Sequence, residues 1–341
     1  FTLYQREDKA WIELRPEDKT HVAEFTVRAG ERVPFVLTWF PSHEDLPKPV
    51  DAEEALSDTE SYWRDWLSSC RYEGGYRDAV HTSLIVLKAL TYRPTGGIVA
   101  APTTSLPERI GGARNWDYRY CWLRDATFTL YALMNAGFVD EAAAWRDWLL
   151  RAVGGDPANA QIMYGIGGQR RIPEYELDWL PGYAGSKPVR IGNAAAEQFQ
   201  LDVYGEVMDV LHQARLHHIG PNQHAWSLQQ MLLEFLEGAW DQPDEGIWEV
   251  RGGRRHFTHS KVLAWVAFDR GVQTGVGAIG ESVTGRNLGV FGKRLRPGHH
   301  GPAGDGCGAG LCRVPHLAHR RCGDDGAAAP PAGARGLGRR A

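Results

Sequence analysis

The sequence predicts a mainly α fold, a helical barrel or bundle whose loops carry the site, preceded by the tail end of a β-sandwich. Three observations lead there. Period-two alternation is confined to the first 40 residues, long helical stripes fill the next 220, and no fixed-period repeat links the helices. The absence of a repeat argues against a solenoid used only for protein binding.

In the first segment, Ala10-Trp11-Ile12-Glu13-Leu14 and Val22-Ala23-Glu24-Phe25-Thr26-Val27 alternate as half-buried strands do. Arg28-Ala29-Gly30-Glu31 reads as a turn, and residues 33–39 as a further strand. Three strands leave an apolar face uncovered, so the sandwich is expected to begin upstream of Phe1. Residues 41–50 hold three prolines and read as a linker, which sets the first unit at 1–50.

Residues 51–270 form the second unit. Tyr76, Ala79, Val80, Ser83, Leu84, Leu87 and Leu90 fall on one helix face. Further helices are predicted at 56–70, 122–136, 140–153, 197–216, 223–240 and 258–270. Residues 271–341 differ in kind: they carry 18 of the 40 glycines, no Trp, no Tyr and one Phe, Phe291. Such a segment has too few large apolar groups to offset its ordering entropy and is expected to be disordered. The abrupt break resembles translation of GC-rich DNA in a wrong reading frame, and a flexible tail is the other reading.

A net charge of −4 gives no pull towards nucleic acid or an anionic membrane. No apolar run reaches the roughly 18 residues of a spanning helix. No leader pattern is visible, so the cytoplasm is the default location, although a start upstream of Phe1 would hide a leader. No phosphate loop ends in Lys-Ser or Lys-Thr, and no GxSxG elbow occurs. Cys307, Cys312, His316, His319 and Cys322 lack zinc-finger spacing and are not read as a metal site.

Three clusters mix carboxylates with aromatics, the combination that binds sugar rings by their apolar faces and hydroxyls. The first runs from Asn115 to Asp125 and holds Trp116, Asp117, Arg119, Trp122, Arg124 and Asp125. Asp125 serves equally well as a charge at a helix start, with Arg124 as its ion-pair partner. In the second, Glu249 follows Trp248; an indole beside a carboxyl raises its pKa, although a solvated hairpin Glu is the bland alternative. The third runs from Glu174 through Trp179 to Tyr183 and on to Arg190, and reads alternatively as a loop pinned by aromatic packing.

The order of these clusters resembles glycoside hydrolase family 15, the glucoamylases and related bacterial trehalases. Gly96-Gly97-Ile98-Val99-Ala100-Ala101-Pro102-Thr103-Thr104-Ser105-Leu106-Pro107-Glu108 leads into Asn115-Trp116-Asp117-Tyr118-Arg119 and Trp122-Leu123-Arg124-Asp125. Gln161-Ile162-Met163-Tyr164-Gly165, Leu177-Asp178-Trp179-Leu180-Pro181-Gly182-Tyr183, Arg190-Ile191-Gly192-Asn193 and Gly246-Ile247-Trp248-Glu249 follow. The resemblance implies a β-sandwich followed by an (α/α)6 barrel, of which about half the helices are present. It implies exo-acting, inverting hydrolysis of an α-linked glucosyl oligosaccharide or trehalose, without cofactor or metal. Arg124 and Asp125 match the pair that holds the non-reducing glucose, and Glu249 the general acid.

Two departures stand out. Val250 occupies the place where some fungal members carry a second Glu. The general base of the family lies in a Glu-Glu-Tyr-Asp-like stretch, and nothing after residue 270 resembles it. The rival reading is therefore a carbohydrate-binding or helical interaction protein without turnover.

Overall fold

The computed structural model describes residues 15–275, except 19, 46, 49, 155–158 and 221. Seven α-helices lie within the described residues: α1 (Ala52–Ser68), α2 (Arg77–Ala89), α3 (Leu123–Asn135), α4 (Asp140–Val153), α5 (Asp202–Leu216), α6 (Gln223–Ala239) and α7 (Thr258–Gln273). Short antiparallel ladders join the loops: β1 (Arg15–Glu17) with β2 (Thr20–Val22), β3 (Thr91–Tyr92) with β4 (Gly97–Ile98), β5 (Cys121–Trp122) with β6 (Met163–Tyr164), and β7 (Tyr175–Glu176) with β8 (Arg190–Ile191). The fold is mainly α, and the helices form part of an (α/α)6 barrel. α3, α5 and α7 pack side by side as one layer, and α2, α4 and α6 alternate behind them.

Helix starts follow the local chemistry. The Asp51 side chain accepts from the amides of Glu53 and Glu54 at the head of α1, and Asn222 accepts from those of His224 and Ala225 at α6. The core runs between the layers, with Trp145, Trp148, Leu149, Leu130, Met163, Leu236 and Phe268 fully buried. Trp66 of α1 stacks on Phe138 at 4.0 Å and closes a smaller cluster with Leu84 and Leu133. α5 and α7 approach closely because Gly205 lacks a Cβ, which would lie 2.1 Å from the carbonyl oxygen of Leu263.

Three sequence expectations shift. Residues 197–201 are not the start of a helix. Ala194–Glu197 is a 3-10 turn capped by Asn193, and Gln198 is extended. The chain opens there because the amides of Phe199 and Leu201 are taken by the side chains of Glu245 and Asp244. Residues 23–27 and 33–39 form no ladder, since no strand lies beside them among the described residues. Phe35, Leu37 and Trp39 are accordingly exposed. Finally, α7 continues to Gln273, past the expected boundary at 270, with Gly271 buried against Leu233. Residues 1–14, where the first alternating run lies, and 276–341, with the set Cys307, Cys312, His316, His319 and Cys322, fall outside the described residues.

Candidate active site

A cleft of about 490 Å³ opens where the β5–α3 junction meets the loop before α7. β5 is held by pairing with β6, and Leu123 starts α3 directly after it. One turn of chain thereby presents Trp122, Arg124 and Asp125 together. Asp125 lies in the first turn of α3, where the helix dipole favours its negative charge.

The opposite wall is the turn Gly246–Glu249. Gly246 has φ +66° and Glu249 φ +52°, and the amide of Glu249 donates to the Gly246 carbonyl at 3.0 Å. Neighbouring residues anchor this loop to residues 198–201. Leu201 N–H donates to Asp244 at 3.0 Å, Phe199 N–H to Glu245 at 2.9 Å, and the Gln198 amide group to the Glu249 carbonyl at 3.3 Å.

The two walls meet at Glu249. The indole Nε1 of Trp122 donates to its Oε1 at 2.7 Å, and Nη1 of Arg124 lies 3.6 Å from the same oxygen. Arg124 also donates to the Ile247 carbonyl at 3.0 Å and to Asp125 Oδ2 at 3.1 Å. Burial raises the pKa of the Glu249 carboxyl, and Asp125 adds to that; the Trp122 hydrogen bond and Arg124 oppose it without reversing it. Such a carboxyl holds its proton to higher pH than an exposed one and can donate it.

The ten sequence-selected residues divide in two. Trp116, Trp122, Arg124, Asp125, Trp248 and Glu249 line the cleft, but Asp117, Arg119, Trp179 and Arg190 do not. Asp117 is fully buried and structural: it holds Arg119 through paired contacts at 2.9 and 2.8 Å and accepts from the Gly192 amide at 3.0 Å. Trp179 is 77% exposed outside the cleft. Arg190 acts one layer out, stacking its guanidinium on Trp116 at 4.7 Å. Trp248 is also 83% exposed, so the indole that contacts the Glu249 carboxyl is Trp122, not the adjacent one.

Sequence reading passed over Arg251. Its guanidinium also lies over the Trp116 ring, at 4.5 Å, and Glu174 grips it at 2.8 and 3.1 Å. It also passed over Tyr118, a further cleft residue whose ring lies 5.9 Å from that of Trp122. Tyr118 stood inside a quoted motif and Arg251 two residues after Glu249, where their aromatic and cationic character was the available signal. Beneath Arg124, burial pushes the Glu206 carboxyl up to about 9, with Asp202 adding to the effect and Arg124 opposing it.

The profile of glycosyl hydrolases family 15 matches residues 74–281, which is more than half of the chain. The chain belongs to glycoside hydrolase family 15. Among relatives, a trehalase of Mycolicibacterium smegmatis is 42% identical over 252 residues, covering 71% of this chain and 37% of the relative. A trehalase of Thermoplasma acidophilum is 39% identical, covering 67% and 39% respectively. Trehalase 2 of Sulfolobus acidocaldarius is 38% identical, covering 64% and 38%. The family 15 chain thus spans well under half the length of these relatives. No solved structure gives a significant match.

Proposed function

We propose that this family 15 chain carries the glucosyl-binding and acid half of an inverting, exo-acting α-glucosidase, with trehalose as the first substrate to test. One observation carries the reading: Glu249, hydrogen-bonded by Trp122 and raised in pKa by burial, shares a cleft with the Arg124–Asp125 pair. In this reading Arg124 and Asp125 hold the hydroxyls of the non-reducing glucose, and Trp116 and Trp122 offer ring faces. Glu249 protonates the leaving glycosidic oxygen. The family 15 relatives named as trehalases favour trehalose over maltooligosaccharides.

Inversion also requires a carboxylate base about 6.5–9.5 Å from the acid. The cleft's other carboxylates are ion-paired: Glu108 with Arg114 at 3.0 Å, and Asp125 with Arg124 at 3.1 Å. That pairing favours a second reading for the 341-residue chain, sugar binding without turnover. Removal of a general base costs about 10²–10⁴-fold, so trehalose and maltose are expected to persist with this chain. A longer form of the protein that supplies the base is expected to release β-glucose, and to lose that activity in Glu249→Gln. Product anomers followed by proton NMR decide the matter. Turnover by the 341-residue chain would show a base within it, and Glu174, Glu176 and Asp178 would be examined first. A longer form that retains its rate in Glu249→Gln would remove the acid assignment.

A further inference from the structure

Asp202 and Glu206 sit one turn apart on α5, facing α7, and His259 faces them from the first turn of α7. One ligand atom from each of the three lies within 4.8 Å of those of the other two. Asp202 is fully buried and Glu206 is 2% exposed. Among the described residues, all four of their carboxylate oxygens, and Nε2 of His259, are buried without a hydrogen-bond partner. Asp202 Oδ2 lies 3.5 Å from His259 Nε2.

Buried carboxylates in proteins are almost always hydrogen-bonded, ion-paired or bound to a cation. Here two converge with nothing to satisfy them, and a third ligand type completes the group from a neighbouring helix. One imidazole nitrogen with two carboxylates is a donor set for a borderline divalent cation. The imidazole of His259 is partly exposed, which gives the cluster an access route.

We infer that Asp202, Glu206 and His259 bind a divalent transition-metal cation of the Zn²⁺ type, which ties α5 to α7. The cation neutralises the paired carboxylates and joins two helices that the chain otherwise connects only through α6 and the loop before α7. Its role is structural, since none of the three residues lines the cleft that contains Glu249.

The test uses the untagged 341-residue chain, with Zn²⁺ alone in calorimetry and Co²⁺ alone as a spectroscopic probe. Saturable one-to-one binding is expected, with visible Co²⁺ bands of nitrogen and oxygen ligation and no thiolate charge-transfer band. Zn²⁺ at about 100 times its dissociation constant is expected to raise the melting temperature by about 5–10 °C. Asp202→Asn and His259→Ala are expected to weaken binding at least about tenfold, since even outer-shell changes cost that much. His259 is partly exposed, so its variant keeps the test valid should Asp202→Asn fail to fold. Absence of saturable binding, or affinity unchanged in His259→Ala, would overturn the assignment. A thiolate band would do the same, by pointing to Cys307, Cys312 and Cys322 instead.

Discussion

Trp122 donates its indole N–H to the carboxyl of Glu249 at 2.7 Å, although 127 residues separate the two in sequence. Together with Arg124 this bond joins the two walls of the cleft, and it opposes the burial that raises the pKa of the group proposed as acid. Trp122→Phe keeps the aromatic packing and removes the donor. Because the bond lowers a carboxyl pKa that burial has raised, its loss is expected to raise that pKa further. A carbon-13 NMR titration of labelled Glu checks the direction. Since the folded value exceeds the ordinary 4.5, Glu249's contribution to stability is complete below pH 4.5 and is lost as pH rises through the folded value.

Glu174 holds Arg251, which together with Arg190 packs its guanidinium over Trp116. Glu174→Gln gives up the charge that orients Arg251 and leaves Trp116 free to tilt. Sugar affinity in the cleft is expected to fall about tenfold, or about 1.4 kcal/mol, with the helical content unchanged. NMR titration with trehalose measures the first and circular dichroism the second. Unchanged affinity would show that this packing serves the loop alone.

Gly192 has φ +77°, and a Cβ there would lie 1.8 Å from the Pro173 carbonyl oxygen. Its amide also donates to the buried Asp117. Gly192→Ala must strain the backbone and move β7 away from β8, at a cost of about 1–3 kcal/mol from the dihedral alone. Urea unfolding is expected to show a lower midpoint with an unchanged slope.

Glu141, 5% exposed, pairs with Lys88 at 2.8 Å and accepts from the Trp66 indole at 3.0 Å, linking α1, α2 and α4. Burial alone would raise its pKa, but Lys88 and Trp66 outweigh burial and lower it below 4.5. Its contribution to stability is therefore present above pH 4.5 and lost as pH falls through the folded value. Lys88→Met is expected to cost about 3 kcal/mol at pH 7, because it leaves a carboxylate buried without its cation. The gap to the unsubstituted chain is expected to narrow in acid, where Glu141 takes up a proton. Denaturant unfolding at pH 7 and pH 4 reads both effects.

Much of the helical framework was legible because apolar stripes have a period that a single helix must satisfy. The stripe through Val80, Leu84 and Leu87 predicts α2. The boundary at 197–201 was not legible. There the helix gives way to side chains of Asp244 and Glu245, more than 40 residues downstream, which claim the backbone amides. Within the cleft, Trp122, Arg124 and Asp125 were legible as a group because one strand–helix junction carries all three. Asp117 reads as a sugar ligand in the same motif, yet the fold buries it to hold Arg119 and Gly192.

By itself, then, the sequence determined what is local: the helix stripes and the motif residues that mark glycoside hydrolase family 15. Tertiary structure alone decided which indole meets Glu249, which arginines pack over Trp116, and that Asp202, Glu206 and His259 converge without partners among the described residues. The reason is one of range. Periodicity and capping act over one or two turns of chain, whereas desolvation and hydrogen-bond pairing depend on which distant segments packing brings within about 3–4 Å.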